Sequence, residues 1–164
     1  MKVVSNTSPL TNLAAIGQFD LLRRLYKEIH IPSAVWGELM AEDGKWPGCK
    51  EVATASWVQR HKVENRLSIL ALRRDVDLGE AEAIVLSIEL DADIILIDEK
   101  EGRHAAQRLN LKPLGVIGVL LEAKEKGFIP LVRPQLDALR ETAGFWISEP
   151  LYSHAIELAR EKGE

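Results

Sequence analysis

Four acids stand at places in this 164-residue chain from which they can converge. Glu38 follows a short aliphatic stretch and a proline, Glu80 and Glu82 open a helical pattern, and Asp98 comes directly after the run IILI. Like charges held close repel one another, so a group of three or four carboxylates is stable mainly when a cation neutralises it. An oxygen-only set without His or Cys suits Mg2+ or Mn2+. Such a site activates water and offsets charge on a transferring phosphoryl group. Each acid also has a plainer use. Glu38 fits an exposed helix surface, Glu80 and Glu82 fit the first turn of a helix, and Asp98 fits a helix cap. Glu80 and Glu82 are two positions apart and point to different sides of a helix, which leaves room for one direct ligand of the two.

The stretch after Asp98, EKEGRHAAQR, carries Lys100, Arg103, His104 and Arg108 along one positive edge. Lys100 and Arg103 are the candidates to steady a phosphate; Arg103 also has the reach for a backbone carbonyl. His104 has no second histidine nearby for a metal or a proton relay. Other chemistries lack their frames. There is no glycine-rich phosphate loop, and no G-x-S-x-G elbow surrounds Thr7 or Ser8. Trp36, Trp46, Trp57 and Trp146 are scattered rather than interleaved with Lys and Arg, so they spell out no stacking platform.

The elements that must position these groups alternate. KVVS at 2–5 reads as a buried strand, followed by a proline-started helix over 8–16 and a second helix or turn over 18–26. EIHI at 28–31 is a second strand, with a helix at 33–41 and a Gly/Pro-rich loop at 42–50. EVATASWV offers a minor strand and turn, and 62–74 is helical in composition. Helix 79–90, with Ala81, Ile84, Val85 and Ile88 as its buried stripe, leads to the strand DIILI at 93–97. That run is apolar on both faces, as a central parallel strand must be. Helix 99–109, a strand near 112–116, a helix at 117–126 and two tail helices near 132–143 and 151–161 complete the pattern. Strand alternating with helix predicts an α/β fold with a parallel sheet. In such sheets ligands bind outside the carboxyl ends of the strands, which selects SNTS after the first strand and Asp98-Glu99 after the central one.

The bulk numbers set bounds. One domain over 1–164, with a helical tail at about 132–161, fits the length. A net charge of -4 exerts no general pull on nucleic acid, although a basic rim around metal-neutralised acids still binds a phosphate backbone. Cys49 is the only cysteine, which leaves no intrachain disulfide and fits a reducing cytoplasm. Nothing reaches the roughly 18 apolar residues of a membrane span.

Four blocks taken in order carry a family likeness: VVSNTSPLTNLAAIGQFDLLRRLY, IHIPSAVWGEL, LGEAEAIVLSIELDADIILIDEKEGRHAAQRL and PLGVIGVLLEAKEKGFIP. Together they resemble a PIN-domain protein, of the prokaryotic PIN-like branch related to the toxin nucleases of toxin–antitoxin modules. The resemblance implies a three-layer α/β/α sandwich with a central, mostly parallel sheet. It also implies a Mg2+- or Mn2+-dependent nuclease acting on RNA, often a homodimer, with an antitoxin protein as partner. The family's first acid falls on Asn6 and its small hydroxyl position on Ser8 and Thr7. The helical glutamate falls on Glu38. The acid opening the next helix matches Glu82 best, through EAI, with Glu80 a close rival. The acid after the central strand is Asp98, beside Glu99. Asn6 is the departure, because an amide offers the metal one neutral oxygen where a carboxylate brings charge. That departure opens a second expectation, a catalytically weakened PIN-like module that binds nucleic acid or protein.

Overall fold

A computed structural model describes residues 1–162. The aliphatic runs form five strands: β1 (Val3–Ser5), β2 (Ile29–Pro32), β3 (Val58–His61), β4 (Ile94–Leu96) and β5 (Pro113–Leu114). All pair in parallel, in the order β3-β2-β1-β4-β5. The helices between them are α1 (Thr7–Ala15), α2 (Asp20–Tyr26), α3 (Ser33–Gly44), α4 (Cys49–Thr54), α5 (Arg66–Leu72), α6 (Leu78–Glu89) and α7 (Lys100–Arg108). After β5 come α8 (Val116–Glu125), α9 (Arg133–Glu141) and α10 (Glu149–Leu158).

Because successive strand residues point to opposite faces, the sheet feeds two cores. Val3, Ile29, Ile31 and Leu96 pack with α1–α4 and α8–α10; Val4, Ile95 and Ile97 pack with α5–α7. The result is the expected three-layer α/β/α sandwich. Its sheet is parallel throughout, and β1 rather than β4 holds the middle position.

Several boundaries differ from the pattern reading for local reasons. Residues 49–54 form α4 because Cys49 and Val52, three apart, both turn into the core. The helix expected from 62 starts only at Arg66, where the Asn65 side chain accepts a hydrogen bond from the Ser68 N–H at 3.1 Å. α6 has no simple buried stripe. It packs against α3, α5, α7 and three strands, so residues 79–87 are buried without interruption, while Ile88 is 50% exposed. This enclosure buries both Glu80 and Glu82.

The tail is fastened by one carboxylate. Glu161 accepts the N–H groups of Val132 (2.6 Å) and Arg133 (3.0 Å) at the start of α9, and an ion pair from Lys124 of α8 at 3.0 Å. Burial works to raise its pKa, but the two N–H donors and Lys124 outweigh that and hold it below the usual carboxylate range. Glu161→Ala leaves two helix-start donors unpartnered and Lys124 with only the Ala159 carbonyl. It should cost roughly 2–4 kcal/mol in urea unfolding, with Glu161→Gln less damaging.

Candidate metal and nucleic-acid site

The sheet order reverses between β1 and β4, since the chain steps from β1 to β2 in one direction and from β4 to β5 in the other. Ser5 pairs with Leu96 at this point, and the Asn6 N–H donates to the Leu96 carbonyl at 2.9 Å. The two strands therefore release Asn6 and Asp98 side by side at the place where α/β sheets present ligand sites.

Other elements bring further acids to the same place. Glu38, from α3, accepts a hydrogen bond from Thr7 Oγ1 at 2.5 Å. Asp77 and Glu80 close a reciprocal cap at the start of α6: the Glu80 N–H donates to Asp77 Oδ1 at 2.8 Å, and the Asp77 N–H donates to Glu80 Oε1 at 3.1 Å. Asp98 Oδ1 accepts the Val116 N–H at 2.9 Å, the first donor of α8. Glu99 stands at the cap of α7. Ser8 lines the opening and accepts the Asn12 amide at 3.1 Å.

Three glycines make the room for this. A Cβ at Gly79 would collide with Glu38 Oε1, one at Gly102 would lie 2.6 Å from Glu80 Oε2, and one at Gly115 would lie 2.7 Å from Asp98 Oδ1. Each acid rests against bare backbone.

Glu82 faces elsewhere. Its Oε1 accepts the Ala34 N–H at 3.0 Å at the start of α3, and its Oε2 pairs with Arg66 at 3.2 Å. Of the two rival acids, Glu80 sits beside Asp77 and feels the Glu99 charge, while Glu82 is committed to holding α3 and Arg66. Lys100 is exposed on the first turn of α7 and lines neither cavity described below. Arg103 is half-buried beside Asp98, and no hydrogen bond or ion pair engages its guanidinium among the described residues.

Sequence reasoning missed two residues here. Asp77 lines the opening with Glu38 and Glu99; the spacing Asp-x-x-Glu, which signals a reciprocal cap, was the sign that both belong together. Trp46 lines it too, 48% exposed. It is carried there by a sharp bend after Ala41, where Glu42, Asp43 and Gly44 all have positive φ. The Gly/Pro-rich loop expected over 42–50 contains that bend, but its pattern does not say that the bend delivers Trp46 to the opening.

Asp98 and the acids around Asn6 line two separate cavities, while Glu80 lines neither. One, of about 380 Å3, is lined by Asn6, Thr7, Glu38, Trp46, Asp77 and Glu99; the other, of about 250 Å3, opens over Asp98 and Arg103. Their electrostatics agree in sign. Burial pushes the Asp98 carboxyl up to about 6, with Glu99 adding to the shift and Arg103 opposing it. Burial likewise raises Glu80, helped by the charges of Asp77 and Glu99. Glu38 and Glu99 are also raised, first by desolvation and then by the Asp77 charge each of them feels. These carboxylates lack enough nearby positive charge.

The fit to a divalent metal rests on unpartnered atoms. Asn6 Oδ1, Glu80 Oε2 and Asp98 Oδ2 are shielded from solvent and have no hydrogen-bond partner among the described residues. Buried polar atoms are normally satisfied, so three together call for a ligand. All are oxygens, as Mg2+ and Mn2+ prefer. No group of three or more acidic, His or Cys side chains is placed to hold a metal ion among the described residues. Mg2+ keeps several of its waters and needs only one or two carboxylates, so the donor set fits a partly hydrated ion.

A family model, DUF3368, described as a PIN domain, matches residues 2–161. The chain belongs to this PIN-domain family, whose fold is of the nuclease type and generally uses divalent metals. No curated protein and no solved structure matches it significantly. No helix among the described residues is long and apolar enough to cross a membrane.

Proposed function

We propose that this protein is a Mg2+- or Mn2+-dependent endoribonuclease, acting in the cytoplasm as a homodimer and as the toxin of a toxin–antitoxin pair. The supporting observation is that Asn6, Glu80 and Asp98 each carry a buried, unpartnered oxygen, Asn6 and Asp98 at the reversal of strand order and Glu80 in the first turn of α6 beside Asp77. Asp98, Glu80 and Asn6 would hold the ion, with Glu38 and Glu99 beside them. When bound, the metal supplies a Lewis acid that lowers the pKa of water and offsets phosphoryl charge.

The chain's own groups do the rest. Thr7 fixes the Glu38 carboxylate, and the Val116 N–H fixes Asp98, so both stay aimed without rearrangement. Arg103 brings uncommitted guanidinium donors to a phosphate oxygen. Glu38 and Glu99, whose proton affinities are raised, are suited to accept a proton from an attacking water.

End-labelled single-stranded RNA should be cleaved in Mn2+ and left intact in EDTA. Glu80→Gln and Glu38→Gln should lower cleavage roughly 100-fold or more, while Glu82→Gln should keep most of it. Cleavage that survives both EDTA and Glu80→Gln overturns the assignment. Light scattering should give twice the 18.3 kDa chain mass for the dimer, and co-purification with a small neighbouring gene product tests the antitoxin.

Asn6 favours a second reading, a module that binds nucleic acid or protein without cutting. Calorimetry separates the two, because the nuclease requires Mn2+ binding at micromolar to low-millimolar concentration and the module does not.

A further inference from the structure

The apolar walls of the 250 Å3 cavity beside Asp98 have no part in metal binding. Asp98, Arg103 and Gly115 line it together with Phe145, Leu151, His154 and Leu158. Leu151 and Leu158 are 42% and 56% exposed, a costly placement for two leucines on one helix unless something covers them. The Arg103 guanidinium is half-buried, and no hydrogen bond or ion pair engages it among the described residues. Asp98 is a neighbouring charge but makes no hydrogen bond or ion pair with Arg103. The guanidinium therefore has donors left for an anion, and its planar fork fits phosphate oxygens. The cavity is smaller than the roughly 300–1,000 Å3 of sites for drug-sized molecules. It has room for one flat ring system and none for a helix or a duplex.

We propose that this cavity is a nucleobase subsite, with Arg103 holding the phosphate of the same nucleotide and the base lying among Phe145, His154 and Leu151. The assignment rests on reading the cleft as a nucleic-acid site. It adds that one base next to the scissile phosphate is unstacked from its neighbours and buried in protein. Aromatic and imidazole faces with aliphatic edges favour stacking over hydrogen-bond readout, so preference among bases follows ring size.

The test uses the full chain in EDTA, which separates this subsite from metal-dependent cleavage. The probes are AMP, GMP, CMP and UMP, with ribose 5-phosphate as the baseless control, followed by calorimetry or NMR titration. At least one purine nucleotide should bind roughly tenfold or more tightly than ribose 5-phosphate, in line with the worth of one stacked base. His154 ring resonances should shift on binding. Leu151→Trp, which adds bulk at a lining residue that is 42% exposed, should remove the base-dependent gain. Arg103→Gln should weaken nucleotides while leaving the free nucleosides unchanged. If nucleotides bind no better than ribose 5-phosphate, or bind Leu151→Trp equally well, the subsite is overturned whatever the cleavage assay shows. Nucleotide binding with these signatures in a protein that cuts no RNA retains the subsite and overturns only the nuclease reading.

Discussion

Asp98→Asn should remove metal-dependent cleavage, by roughly 100-fold or more, while making the metal-free protein less sensitive to rising pH. The two effects share one cause. Burial lifts the Asp98 carboxyl to about 6, so the native state keeps a proton that the unfolded chain gives up near pH 4. A group whose folded-state pKa is raised contributes stability that is present below its unfolded value and lost as pH climbs through its folded one. The metal-free protein therefore loses stability between about pH 4 and pH 6 on account of Asp98. Asparagine keeps the oxygen that accepts from Val116 and never ionises, so its melting temperature should stay flatter across that window. A variant that keeps cleaving, or that loses stability with pH as steeply as the parent, contradicts the role given to Asp98.

Asn6→Asp tests the opposite change. Asn6 is 4% exposed and its Oδ1 has no partner among the described residues, in a cleft that already holds Glu38, Asp77 and Glu99, whose charge in turn reaches Glu80 and Asp98. A further buried carboxylate adds repulsion without compensation, so the metal-free variant should melt at lower temperature. Metal removes that penalty and gains a charged ligand. Mn2+ affinity should rise roughly tenfold or more, since ligand charge count tunes such sites. The increase in melting temperature on adding Mn2+ should be larger than in the parent. RNA cleavage should increase under limiting metal. If Mn2+ binds both forms equally, Asn6 is not at the metal.

Much of this arrangement was legible before any coordinates. Strands such as VVS and IIL stand out because they are buried on both faces and need unbroken aliphatic runs. The placement of Asp98 followed from being the first polar residue after one of them. What the sequence could not show depended on distant partners. The 3.6-residue period separates Glu80 from Glu82 but does not say which of the two is committed elsewhere. That is decided by α3, whose first turn takes Glu82 through the Ala34 N–H. The short elements α4 and β3 carry too few residues for a period to emerge. Trp46, scattered in the linear order, reaches the cleft only through a bend with successive left-handed residues.

The glycines behind Glu38, Glu80 and Asp98 change how relatives of this chain should be compared. Alanine at 79, 102 or 115 would press a methyl group into a carboxylate, and overpacking of that kind commonly costs about 1–3 kcal/mol. A homologue could keep every acid and still misaim them. Inheritance of the site is thus recorded as much in three positions that carry no functional group as in the five that do. A sequence with the acids intact and those glycines replaced should be suspected of having left the trade.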